Sequence, residues 1–172
     1  LSTWFILGFD LPIALCFLVI AASAGLNLYL RLRFPLSQRL RDRAAFALLA
    51  YDIIQLSGLL YFTGGLSNPF ASLFLAPIMI SAMSLAWQGT LWLVLLMVGA
   101  ATFLAFQHVP LPWHAGRPLE LPFLYVSGIW MALVLGAGFI AVYASRVSEE
   151  ARQLSDALAA TELVLAREQH LT

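Results

Sequence analysis

The sequence contains no lysine, a single cysteine and little charge of either sign. Charged residues make up 10% of the 172, where soluble domains carry about a quarter. Hydrophobic residues make up 62% and the mean hydropathy is +0.88, which excludes water as the main solvent. All nine basic residues are arginine and nine acids balance them, so the basic excess that a nucleic-acid partner requires is missing. One cysteine excludes a disulfide within the chain, and Cys16 lies in an apolar run where it reads as a packing residue. A Gly-rich phosphate loop, H-E-x-x-H, a nucleophile elbow and a paired-acid cleft are all lacking, so no catalytic residue is assigned.

What is present is a series of long apolar runs. A chain of this size holds about five or six helical spans, because roughly 20 apolar residues cross a hydrocarbon core of about 30 Å. Pro12 to Leu32, apolar apart from Ser23, Asn27 and Arg31, predicts the first complete span. Leu1 to Phe9 reads as the tail of an earlier one, with Asp10 and Pro12 marking the junction. Four more spans are predicted at Ala44 to Phe62, Phe70 to Trp87, Leu91 to Val109 and Leu121 to Tyr143. The start without Met and the stop at Thr172 in a helical pattern read as the edges of a fragment.

The arginines orient these spans. Arg31, Arg33, Arg39, Arg41 and Arg43 crowd one short loop against Asp42 alone, which predicts that this loop is cytoplasmic. The loops Thr63 to Pro69 and Pro110 to Glu120 then lie outside, the first uncharged and the second with only Arg117 and Glu120. Trp87, Trp92, Trp113 and Tyr143 fall near the expected membrane edges, as interfacial aromatic anchors do. The expected fold is an all-α, polytopic transmembrane helix bundle of five complete spans and a remnant, in a bacterial inner membrane with its C-terminus cytoplasmic.

After Tyr143 the composition changes, which divides a membrane domain (1–145) from a linker helix (146–172) without Gly or Pro. One heptad register places Val147, Leu154, Thr161 and Glu168 in one seam position and Ala151, Leu158, Leu165 and Thr172 in the other, apolar in the middle and poor at its end. Leu154, Leu158 and Leu165 are the expected seam of a parallel homodimer, with a solvated single helix as the alternative.

Two stretches stand out as candidate sites. Gly64-Gly65-Leu66-Ser67-Asn68-Pro69-Phe70 reads locally as a turn in which the glycines end one helix, Asn68 caps the next and Pro69 takes its first position. Tyr61, Phe62, Phe70 and Phe74 flank it, and backbone at paired glycines admits a flat ring closely, so a pocket for a lipid-soluble quinone is expected there. The second is Asp52 with Gln55 three residues on, on one helix face. A carboxyl group near mid-span costs about 2.5 to 3.5 kcal/mol, so it is expected to face the bundle interior and either relay protons or join helices. His108 and His114 are read as residues of a solvated loop, with no metal ligand set assigned and protonation of a ligand by one of them as the alternative, and Asn27 and Gln107 as hydrogen-bond partners of neighbouring helices. His170, followed by only two residues, is not assigned as a phosphoacceptor.

With its G-G-x-x-N-P-F pattern, the segment Gly64 to Phe70 resembles the outer loop of RegB/PrrB-type redox-sensing histidine kinases. Gly8 to Pro12, Leu26-Asn27-Leu28, Arg31 to Pro35 and Asp52 to Leu56 are similar to that family's membrane domain as well. The resemblance implies a six-span sensor that binds ubiquinone and relays the redox state of the quinone pool to a kinase. It further implies that Gly64, Gly65, Asn68, Pro69, Phe70 and Phe74 form the quinone site. Oxidised quinone would restrain autophosphorylation, and ATP and a response regulator would serve only a kinase part beyond this sequence. The family's H-E-x-x-T-P phosphoacceptor segment and its redox-active cytoplasmic cysteine are not in these 172 residues, and Cys16 is not that cysteine. Lipid, quinone and a second copy of the chain are the expected partners. The alternative is a small transporter or channel domain using Asp52 and Gln55.

Overall fold

Residues 17–18, 20–22, 24–25, 42–112, 118–119 and 121–171 are described by the computed structural model. Residues 17–18, 20–22 and 24–25 are helical and exposed. Four further helices follow: α1 (Asp42–Phe62), α2 (Leu75–Ser84), α3 (Trp87–Phe106) and α4 (Phe123–Leu171). Two 3-10 turns, Gly65–Ser67 and Pro69–Phe74, join α1 to α2. Leu111–Pro112 pairs antiparallel with Pro118–Leu119 as a two-residue ladder between α3 and α4. The remnant at Leu1 to Phe9, most of the first span, the arginine loop, Cys16, Asn27, Trp113 and His114 lie outside the described residues.

Among the described residues three helices are long and apolar enough to cross a membrane, α1, α3 and the first part of α4. The return from α1 is built differently from the single helix expected over Phe70 to Trp87. Pro69–Phe74 is 3-10 and only Leu75–Ser84 is α-helical. At about 2.0 and 1.5 Å of rise per residue the pair still spans about 27 Å. α3 begins at Trp87 rather than Leu91, since extended Ala86 opens it and Gly89 N–H closes the first turn on the Ala86 carbonyl. It stops at Phe106, short of Pro110, and Gln107 is exposed instead of bonding a neighbouring helix. α4 starts after Pro122 and runs unbroken for 49 residues, about 73 Å, so the expected boundary at 145/146 falls inside one helix.

Each helix turns one stripe inward. Ile53 and Leu60 of α1, Ile78 and Ala82 of α2, Leu93, Met97, Ala101 and Leu104 of α3, and Val126, Leu133, Ala137 and Ala141 of α4 form the core. The spacing of four, four and three in α3 is the helical period. Outside it stand Trp92, Phe103, Phe106, Leu124, Leu135 and Phe139, all exposed. An apolar exterior on an apolar core suits lipid, where packing and interhelical hydrogen bonds replace the hydrophobic effect as the force between helices. α2 is the most extensive neighbour of α4, and Gly136 of α4 lies against Leu75 of α2, where an added Cβ would stand 3.5 Å from the leucine side chain. Trp130 Nε1 of α4 donates to Thr102 Oγ1 of α3 at 3.0 Å.

Candidate functional site

The turn between α1 and α2 is a hydrogen-bonded knot. Gly64 (φ 100°) and Gly65 (φ 58°) take left-handed backbone that ends α1, as their sequence position predicts. Asn68 then uses its whole amide locally. Its Oδ1 accepts from Phe70 N–H at 2.9 Å, while Nδ2 donates to Thr63 Oγ1 at 2.8 Å and to the Thr63 carbonyl at 3.0 Å. Pro69 occupies the first position of the 3-10 turn, so its missing N–H costs nothing there.

The flanking aromatic residues do not enclose this turn. Phe74 is wholly buried in the core, while Phe70 is 64% exposed and points away from it. Tyr61 stacks on Phe103 of α3 with ring centres 6.1 Å apart, and Phe62 meets Tyr61 edge-on. Gly64 and Gly65 are buried. A flat ring does lie against Gly65, as paired glycines allow, but it is the imidazole of His108. A Cβ placed on Gly65 would stand 2.7 Å from His108 Cγ and 2.9 Å from both its Cβ and Nδ1. His108 Nδ1 is 3.0 Å from the Leu104 carbonyl, and Val109 N–H donates to the Tyr61 carbonyl at 2.8 Å. His108 is therefore half-buried at a helix junction and not in a solvated loop.

Asp52 lies elsewhere and otherwise than expected. It is exposed, because Ile53 beside it takes the core position, and about 16 Å of helix separates it from Thr63. It lines a groove of about 950 Å³ with Asp42, Ile80, Met83, Arg152 and Asp156, between α1, the end of α2 and the extension of α4. Gln55 is half-buried and is not part of that lining.

Beside this groove α2 is tied to α4. The Met83 carbonyl, in the last turn of α2, accepts from Ser148 Oγ at 3.0 Å and from the Arg152 guanidinium at 3.2 Å. Four residues apart, Ser148 and Arg152 share one face of α4 and cap a helix end whose dipole favours positive charge. Farther along, Leu154 and Leu158 are exposed, and the side chain of Leu165 lies outside the described residues. Ser148 and Arg152 were not singled out by sequence reasoning as functional. Only their i, i+4 spacing was visible, and it names no partner.

The PilS-like transmembrane domain family matches residues 7–161. Two sensor histidine kinases RegB from Cereibacter sphaeroides, one of them from a particular strain, are each 43% identical over 171 residues, which is 99% of this chain. The chain spans 37% of the length of these relatives. No solved structure matches.

Proposed function

The chain belongs to the PilS-like transmembrane domain family as a RegB-type membrane sensor domain, and from that premise we propose that it reads a lipid-soluble quinone at the Gly64–Phe70 turn. The output is a movement of α4 relayed to a histidine kinase region beyond the sequence described, which would use ATP and pass its phosphoryl group to a response regulator. Ubiquinone is the quinone that the resemblance of the turn implies. The membrane is the inner bacterial one, with the arginine loop and the end of α4 in the cytoplasm. The observation that carries the reading is the path of α2. It starts from the knotted turn, packs along α4 and ends with its Met83 carbonyl held by two side chains of α4.

Geometry alters one part of the expectation from sequence. With the Asn68 amide committed to Thr63 and Phe70, Asn68 supports the site by holding the turn, and exposed Phe70 offers the ring face. Exposed Leu154 and Leu158 supply a seam for a homodimer. A ligand shifts such a sensor only by binding one signalling state better than the other. The full-length kinase in liposomes, supplied with ubiquinone or ubiquinol, tests the reading through autophosphorylation. The two forms should give different rates, and Phe70→Ala should abolish the difference. Equal rates in the unaltered protein would sink the proposal.

The groove at Asp52 favours a second reading, a proton or solute path. Flux across liposomes that Asp52→Asn removes would support it, and absence of flux would dismiss it.

A further inference from the structure

Where α2 gives way to α3, a cleft of about 470 Å³ opens between that turn and α4, within the range of about 300–1,000 Å³ common for small-molecule sites. Its wall includes Trp87, Val142, Ser145, Arg146, Glu149 and Arg152, so two arginines stand against one acid. Arg152 commits one nitrogen to the Met83 carbonyl, and a guanidinium has further donors to offer. Ser57, Ser81, Ser84, Thr102 and Ser127 each donate to a carbonyl three or four residues back in their own helices, whereas Ser145 Oγ is buried and has no partner among the described residues. α3 also opens at this cleft with no side chain capping its first turn, and an uncapped helix start favours an anion. The place is a membrane edge. Trp87 and Val142 are exposed on its apolar side, and Arg146 is the first charge after the apolar part of α4.

We propose that this cleft binds the headgroup phosphate of an anionic phospholipid, with Arg146, Arg152 and the Ser145 hydroxyl donating to its oxygens. Basic clefts between membrane helices recognise such headgroups. An anionic headgroup meets the charge of the lining and its orphaned hydroxyl together, while a zwitterionic one adds a cation that two arginines repel and only Glu149 attracts. A lipid fits better than a free phosphate because Trp87 and Val142 leave an apolar side along which acyl chains can run. Seated there, the lipid touches the start of α3 and α4 at once and braces the junction at which α4 holds Met83. The inference stands apart from the quinone reading.

Native mass spectrometry of the purified chain released from detergent micelles, titrated with phosphatidylglycerol or phosphatidylcholine, tests the proposal. Phosphatidylglycerol should bind at least about fivefold more tightly. Arg146→Gln should weaken that binding about fivefold and Ser145→Ala about threefold, the equivalents of one surface charge and one hydrogen bond. Glu149→Gln should tighten it, a gain that no folding defect can mimic. Arg41→Gln, in the loop before α1, should change it by less than about twofold, since the distance is screened. Equal losses at Arg41 and Arg146 would show diffuse attraction in place of a site and would overturn the proposal. So would equal affinity for the two lipids, or affinity for phosphatidylglycerol that neither Arg146→Gln nor Ser145→Ala alters. Displacement of the lipid by millimolar inorganic phosphate would assign the cleft to a free anion and overturn the lipid reading.

Discussion

Placing a methyl group on Gly65 probes the junction of α1 and α3 through a single carbon. Left-handed backbone costs an L-residue about 1–2 kcal/mol, and φ at Gly65 is 58°. The new Cβ would also stand 2.7 Å from His108 Cγ and 2.9 Å from His108 Cβ. Overpacking of this kind costs about 1–3 kcal/mol, so Gly65→Ala should destabilise by about 2–5 kcal/mol in all. Because the His108 Cβ is itself in contact, rotating the imidazole relieves only part of the clash. A graded rescue follows. His108→Ala in the Gly65→Ala background should recover part of the steric term, and His108→Gly should recover nearly all of it, leaving the backbone cost of about 1–2 kcal/mol. Unfolding in mixed micelles, monitored by tryptophan fluorescence across the double-mutant cycle, gives each value. Additive effects of Gly65→Ala and His108→Gly would refute the reasoning, since the two sites would then not touch.

Other substitutions test the remaining contacts. Asn68→Ala removes the cap on Phe70 N–H and both donations to Thr63, and should cost about 1–2 kcal/mol in the same unfolding assay. Trp130→Phe loses the bond to Thr102 across α3 and α4, which should cost about 0.6 to 1.7 kcal/mol, the range for interhelical bonds in membranes. Ser148→Ala with Arg152→Ala frees an exposed carbonyl and should change stability by less than about 1 kcal/mol, yet spin labels on Ser84 and Glu149 should show a broadened distance distribution. In a Cys16→Ala background, Leu154→Cys and Leu158→Cys should each form disulfide-linked dimers while Gln153→Cys does not; uniform cross-linking at the three positions would contradict the seam.

Local chemistry made the turn legible and non-local contact hid its neighbour. Gly64-Gly65 and Asn68-Pro69 have backbone preferences that act within a few residues, so left-handed glycines, an Asn cap and a leading proline could be read in order. Nothing near His108 in the sequence announces that its ring lies on Gly65. The same holds for Ser148, whose partner Met83 is 65 residues away. Span positions were readable because hydrophobic length is a one-dimensional signal. Which face of a span turns inward was not, and Asp52 shows why. α1 is apolar around most of its circumference, so the polar stripe that marks the outside of a soluble helix is missing, and the inward residue proves to be Ile53. The 3-10 start of the return segment was hidden for a related reason, since Phe70 to Trp87 has the composition of an ordinary span whichever helix it forms.

The two ends of α2 are tied with unequal strength, and the inequality bears on how a sensor of this design could switch. At its start α2 continues from the Pro69–Phe74 turn, whose Phe74 is wholly buried and whose backbone is fixed by Asn68. At its far end it is held to α4 by two hydrogen bonds from exposed side chains, each contributing about 0.5 kcal/mol net, the low end for such bonds. A ligand moves a two-state equilibrium only by its differential affinity, and a tenfold preference supplies about 1.4 kcal/mol. That is enough to release or reseat a tie of this strength. A buried charged clamp costs about 3–5 kcal/mol to break and would demand a preference above about a hundredfold. An input end that cannot slip and an output end that a modest preference can shift allow a small, weakly discriminating headgroup to move α4. Strengthening the output tie, by burying it or adding a second charged pair, should therefore silence the response while leaving ligand binding at the turn unchanged.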